Sequence, residues 1–445
     1  MAGPFHLFFI SLGCDKNLSD SEFMLGMLQD SGFMITDEED RAEIIVVNTC
    51  CFINDAKEES VNTILEMAEY KKTGRCQALL VTGCLAQRYQ QEIRREIPEV
   101  DAVLGTNSYD DIVHAVREAL DGKQYENFRT LEGLPTLRHK RSVTTGGHYA
   151  YLKIAEGCDK HCTYCIIPAI RGSYRSVPME ELLAQAAQLA DAGVRELILV
   201  AQETTLYGTD LYGEKSLHRL LDGLNQIPGL RWIRILYCYP EEIDDALIDA
   251  IKRNDKVCHY LDLPIQHASD PVLRRMGRRT SNRDIRDIVA KLRREIPDIC
   301  LRTTVICGFP GETQTQHEEL MEFINELEFD RLGAFTYSAE EGTPAADFPD
   351  QLDEETKLTW QEEVMELEQE IIFDKTRDMK GREIWAFVEG KLPDEPVYAA
   401  RTYRDAPDID GYVFISGRDV ELMTGDFVKV RVTGSMDYDL TAEIP

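Results

Sequence analysis

The chain lacks any uninterrupted apolar run approaching the roughly 18 residues of a membrane-spanning helix, which argues against a spanning protein. It is also short of positive charge: 49 Lys and Arg stand against 80 Asp and Glu, a net charge of −31 over 445 residues. Nucleic-acid binders draw much of their affinity from neutralising phosphates, so this deficit argues against a polyanionic partner and for a basic one. Solubility alone is the plainer use of such charge, and Arg274–Arg279 is a local basic exception. The first residues lack the basic start and small-residue cleavage site of a signal peptide, and the apolar Leu7–Ile10 reads as a buried strand. These absences suggest a cytoplasmic protein. In that compartment 12 cysteines are metal ligands, catalytic groups or buried thiols sooner than disulfides.

What is present centres on the stretch Gly157–Cys165, where Cys158, Cys162 and Cys165 are spaced four and then three positions apart, with Tyr164 before the last. Soft thiolates gathered in one loop select zinc or an iron–sulfur cluster. Structural zinc usually takes four protein ligands, and here no fourth cysteine follows until Cys238. A trio leaves one metal position open, as a catalytic cluster requires. Three unrelated thiols are the bland alternative, and the tight spacing argues against it.

The N-terminal part alternates strands with helices. Strands are predicted at 5–10, 44–47 and 78–81, with helices from the residues after Cys14 to about Asp30 and at about 55–70, 85–96 and 107–120. Asn17 or Ser19 is expected to cap the first helix. This is the pattern of a doubly wound parallel sheet. Cys14, Cys50 and Cys84 each follow a predicted strand, and in such a sheet the C-terminal strand ends share one ligand-binding edge. Three distant cysteines would meet there in a second trio, built by the fold, although a lone cysteine is more often a small packed hydrophobe.

The polar stretch 121–145, with a basic run at Arg138–Arg141, reads as a connection. Six further strands, predicted at 149–154, 196–201, 232–236, 258–263, 300–306 and 331–336, alternate with helices. They suggest a TIM-like βα barrel, closed or incomplete, with function at its C-terminal strand ends. There lie Cys158, Gln202, Glu203, Tyr237, Gln266, His267 and the turn Gly308–Glu312. A polar pair or a glycine turn at a strand end is as often local structure as a site. A long charged helix, 353–379, is expected to close the barrel. Four short strands then suggest a small antiparallel β-barrel, acidic in balance and so poorly suited to RNA.

With these residues in view, the chain resembles the methylthiotransferases of the radical S-adenosylmethionine (SAM) superfamily over its whole length. A three-cysteine domain (4–120), a linker (121–143), a radical SAM core (144–375) and a TRAM domain (376–445) would follow one another. The segments Ser11–Glu22, Val200–Thr205 and Asp405–Gly411 are similar to the RimO type, the branch that modifies a ribosomal protein. Cys51 stands where the family carries glycine, and Cys50 is taken as the ligand because it keeps the Asn48-Thr49-Cys alignment.

The resemblance implies two [4Fe-4S] clusters and SAM as cofactors. Cys158, Cys162 and Cys165 would hold the cluster that chelates and reductively cleaves SAM. The resulting radical would take a hydrogen from the β-carbon of an aspartate in the twelfth small-subunit ribosomal protein. Cys14, Cys50 and Cys84 would hold the second cluster and the sulfur to be inserted, with a second SAM supplying the methyl group. For SAM contacts it suggests the Tyr164 backbone, Gln202, Gln266, Gly308 and Gly311, with Glu203 and Arg302 behind them. The implied partners are that basic protein as substrate, a low-potential electron donor and a sulfur donor, with no membrane and no nucleic acid as direct substrate. A tRNA adenosine methylthiotransferase is the rival within the family. A cluster-bearing electron-transfer or scaffold protein is the rival outside enzymes.

Overall fold

The computed structural model describes residues 5–135, 140–417 and 420–445. It divides into two compact units, one of Met1–Thr144, Ala155–Val177 and Glu340–Thr343, the other of Thr145–Ile154, Pro178–Ala339 and Pro344–Pro445.

The first unit is built on β1 (His6–Ser11), β2 (Met34–Ile35), β3 (Ile44–Thr49), β4 (Ala78–Gly83), β5 (Ala102–Leu104) and β6 (Tyr125–Asn127). All pair in parallel, in the order β2-β1-β3-β4-β5-β6. β3 and β4 are buried at every residue, which is why they read as unbroken apolar runs. On one face the helices Asp15–Asp30 and Ile112–Leu120 pack Met24, Leu28, Ile112 and Val116 against Ile44, Val46 and Leu80. On the other, Asn54–Thr73 packs Ile64 and Met67 against Ile45, Val47 and Leu79. Helices on both faces make the sheet doubly wound, as expected.

Some local expectations change. Asn17 and Ser19 lie inside the first helix, whose N-cap is Cys14. The helix read across 85–96 breaks at Tyr89 into Cys84–Arg88 and Gln90–Glu96. β6 falls in the stretch read as a connection, and Arg138 of the basic run lies outside the described residues.

After β7 (Tyr149–Lys153), which belongs to the second unit, the three-cysteine loop falls in the first. Its ends are tied by the antiparallel pair β8 (Ala155–Glu156) and β9 (Arg175–Ser176), with the helix Ile167–Arg171 between.

The second unit adds β10 (Glu196–Val200), β11 (Trp232–Ile235), β12 (Val257–Gln266), β13 (Cys300–Cys307) and β14 (Arg331–Thr336) to β7. The sheet is parallel throughout, in the order β14-β13-β12-β11-β10-β7. β14 and β7 are its edges, so the barrel is incomplete. The helix Glu354–Arg377 lies along β14, where Gln361 Nε2 donates to Ala334 O at 2.8 Å, and the sheet stays open there.

The C-terminal strands β15 (Glu383–Lys391), β16 (Val397–Arg401), β17 (Val413–Ser416), β18 (Phe427–Met436) and β19 (Asp439–Glu443) form a closed barrel, ordered β15-β16-β17-β19-β18. β19 was not foreseen, and its pairing with β17 is the one parallel join in this barrel. Within the second unit the segment around Thr402–Asp410 meets the N-terminal halves of the large sheet through buried charge. Glu196 pairs with Arg234 at 2.8 Å and Arg401 at 2.7 Å, Arg331 with Asp405 at 2.6 Å, and Arg404 with Asp330 at 2.8 Å. The opposite, C-terminal strand ends are left for the site. Among the described residues no helix is long and apolar enough to cross a membrane.

Candidate active site

In the first unit, Cys50 and Cys84 come directly after β3 and β4, and Cys14 three residues after β1. These strands are adjacent and in register, Ser11 beside Asn48 and Asn48 beside Thr82, so the three cysteines share one sheet edge. Gly13 brings the first segment against the second. It has φ +87°, and a Cβ on it would stand 2.8 Å from Cys50 Sγ, so only glycine fits. Asn17 Nδ2 donates to Leu12 O at 3.0 Å and Thr49 O at 2.8 Å, and Asn48 Nδ2 donates to Asn17 O at 3.0 Å. Thr49 Oγ1 donates to Thr82 O at 2.5 Å. This lattice of short polar side chains ties the three strand ends together. Sequence reasoning offered Asn17 only as a helix cap.

The thiols respond to one another. Burial first, then the neighbouring Cys84 and Cys14, push the Cys50 thiol up to about 12, against Arg171. Cys84 is raised by burial, and Arg171 opposes this by donating from Nη2 to its Sγ at 3.3 Å. Cys51, also raised to about 12 mainly by burial, is wholly inside the apolar cluster of Ile45, Val47 and Ile64. Cys50 stands beside Cys14 and Cys84, while Cys51 is fully buried in that cluster and neighbours Cys84.

The second trio is held by local backbone. Gly157, at φ +78°, sits so close under the return strand that a Cβ would meet Ser173 O at 2.2 Å. Cys158 N donates to Gly172 O at 3.1 Å, Lys160 N to Cys158 Sγ at 3.4 Å, and Cys165 N to Cys162 O at 3.1 Å. Burial, then Cys162 and Cys158, push Cys165 up to about 12. Binding iron would relieve that mutual penalty, because a coordinating thiol is deprotonated outright. Among the described residues no three His, Cys, Asp or Glu converge on a point that a single ion would occupy. A four-iron cluster takes one thiolate per ligated iron, a donor set that three cysteines can supply.

In the second unit the polar candidates lie at C-terminal strand ends. Gln202 and Glu203 follow β10, and Glu203 Oε1 accepts from Thr205 N at 3.1 Å. Gln266 ends β12 at φ +70° and Tyr237 follows β11 at φ +59°, conformations costing about 1 kcal/mol or more for a side-chain-bearing residue. Gly308 and Gly311, both at φ +76°, shape the turn after β13. Glu312 fixes the turn, its Oε2 accepting from Gly308 N at 2.8 Å and Phe309 N at 2.9 Å. His267 holds that carboxylate. Its Nδ1 accepts from Ser269 N at 2.9 Å, so Nε2 carries the proton toward Glu312 Oε1 at 3.0 Å. The sequence singled out His267 and Glu312 separately, not as a clamp. Arg302 is committed elsewhere, to Asp262 at 2.9 Å and Asp410 at 3.6 Å.

Comparison with known protein families matches three stretches of the chain. Residues 6–105 match the uncharacterised protein family UPF0004, 152–324 the radical SAM superfamily and 381–444 the TRAM domain. The chain is similar to the ribosomal protein uS12 methylthiotransferase RimO of Lachnoclostridium phytofermentans, 59% identical over 98% of this chain and 100% of that one. The proteins of that name from Acetivibrio thermocellus and Pelotomaculum thermopropionicum are 49% and 50% identical, covering 97% and 98% of their lengths. Among solved structures, the radical SAM methyltransferase TsrM of Kitasatospora setae superposes with a TM-score of 0.55 at 14% identity, over 76% of this chain and 74% of that one. The cobalamin-dependent SAM radical enzyme OxsB gives 0.52 at 13%, over 82% and 56%. At such identities the two structures speak for the fold alone.

Proposed function

This chain belongs to the RimO type of the radical SAM methylthiotransferases, and we propose that it inserts a methylthio group at the β-carbon of an aspartate in the small-subunit ribosomal protein uS12. One observation carries the reading: a 59% identity spanning 98% of the chain with a protein named for that activity. The residues support it chemically, with two thiol trios in the first unit and polar groups at the strand ends of the second.

In this reading Cys158, Cys162 and Cys165 would hold one [4Fe-4S] cluster, and Cys14, Cys50 and Cys84 would hold a second. When bound, the clusters and SAM supply one-electron chemistry together with the sulfur and methyl of the transferred group. The protein's own residues orient and enclose. The Tyr164 backbone, Gln202, Gln266, Gly308 and Gly311 would grip SAM, and Glu312 fixes the shape of the turn by accepting from the Gly308 and Phe309 amides. The net charge of −31 attracts a basic substrate and repels RNA. A low-potential electron donor and a sulfur donor complete the cycle in the cytoplasm, where thiols stay reduced.

The test is mass spectrometry of uS12 from cells with and without this enzyme. A methylthio mass shift on one aspartate, present only with the enzyme, is expected. An unmodified uS12 alongside a methylthiolated tRNA adenosine would overturn the reading.

A further inference from the structure

Arg171 is a cation deep inside the first unit, 2% exposed, at the end of the helix Ile167–Arg171 and six residues beyond Cys165. Its Nη1 donates to Asp20 Oδ2 at 2.9 Å and Glu156 Oε2 at 3.2 Å. Its Nη2 donates to Asn17 Oδ1 and, at 3.3 Å, to Cys84 Sγ. Asp20 and Glu156 already more than offset its charge, so the reach to a sulfur is not needed for neutrality. An N–H donor on a ligating sulfur draws electron density from a cluster and raises its reduction potential, and outer hydrogen bonds of this kind also orient the ligand. The donor arrives on the same short segment that carries Cys158, Cys162 and Cys165, whereas the acceptor belongs to the other trio.

We infer that Arg171 is a positioning residue for the fold-built cluster, fixing the Cys84 sulfur through Nη2 and holding that cluster's reduction potential up. The inference rests on the reading that Cys14, Cys50 and Cys84 hold a cluster. Asn17 works with it, since the same amide oxygen that accepts from Arg171 belongs to the side chain tying Leu12 and Thr49 together. A merely structural salt bridge would serve Asp20 and Glu156 equally well and leave the potential unmoved.

The test is a redox titration of the reconstituted full-length chain followed by electron paramagnetic resonance. SAM perturbs the signal of the cluster it binds and so separates the two. Arg171→Lys keeps the cation for the carboxylates but loses the second arm of the fork. It is expected to hold as much iron as wild type, with the midpoint of the fold-built cluster moved to more negative potential and the other unmoved. If Arg171→Lys fails to take up iron, Glu156→Gln/Arg171→Met removes the N–H donor to sulfur together with one cation and one carboxylate, so the local net charge is unchanged. The same fall in midpoint is expected there. An unmoved midpoint in the variant that loads, beside a wild type holding both clusters, overturns the inference alone. A wild type that takes up only one cluster overturns the two-cluster reading and this inference with it.

Discussion

The two cysteine trios of the first unit reach similar ends by opposite routes. Cys158, Cys162 and Cys165 are brought together by one loop, whose own amides bond its carbonyls and sulfur. Cys14, Cys50 and Cys84 are brought together by three neighbouring parallel strands and a net of asparagine and threonine side chains. A loop-built site depends on backbone spacing, so it tolerates change in the sheet. A fold-built site depends on strand register, so damage to any of the three strand ends is felt by all three thiols. The difference suits a division in which one cluster starts the chemistry and the other holds the group to be transferred.

The largest expected effect separates the trios outright. Cys162→Ala removes one thiol of the loop trio and is expected to abolish formation of 5′-deoxyadenosine from SAM, measured by chromatography of the reduced enzyme. Residual cleavage near the wild-type rate would remove that loop from the mechanism.

The glycines under each trio give the next effect. Gly13→Ala and Gly157→Ala force side chains into φ +87° and +78°, at about 1–3 kcal/mol before the clashes with Cys50 and Ser173 are counted. Each is expected to deplete iron at its own trio and spare the other, read by Mössbauer spectroscopy. Equal depletion of both clusters by either variant would deny that the trios are built separately.

A smaller effect belongs to the second unit. Glu312→Gln replaces a charged acceptor of two amides by a neutral one, a loss of about 1 kcal/mol per bond, the difference between bonds to charged and to neutral groups. SAM affinity, by equilibrium dialysis, should fall about tenfold or more, since 1.4 kcal/mol is one decade. Unchanged affinity would take the Gly308–Gly311 turn out of the SAM site.

The smallest effect is general stability in acid. Burial opposes ionisation of Glu196, yet Arg401 and Arg234 outweigh it and lower its pKa; Asp405 is lowered against burial by Arg331 and Thr402, and Asp330 by Arg404 and Lys375. Carboxylates depressed in the folded state stabilise it above their unfolded pKa, about 4, and that stability is lost as pH falls through the folded values. Asp410, raised chiefly by burial, has the opposite sign and offsets part of the loss. Calorimetry is expected to show Tm falling as pH drops below about 4, and a Tm that rises there would contradict the pairing.

The comparison also marks what the sequence could show. The loop trio was visible as spacing, because its geometry is local. The fold-built trio was visible as three cysteines after three apolar runs, because β3 and β4 are buried throughout and read cleanly as strands. β2, of two residues, and β5 and β6, of three, are too short for any periodicity to show. Tyr89 breaks a helix without a glycine or proline to announce it. Nothing local marks Arg171, for its partners Asp20 and Cys84 are 151 and 87 positions away in sequence. The same holds for the clamp of His267 on Glu312, 45 positions apart. Register and spacing are written locally, whereas a buried polar network becomes visible only after folding.

The division of labour is tested most directly by one variant assayed twice. Reconstituted Cys84→Ala, given reductant, SAM, a sulfur source and uS12, is expected to keep forming 5′-deoxyadenosine while mass spectrometry finds no methylthioaspartate. Full methylthio transfer by that variant would contradict the account.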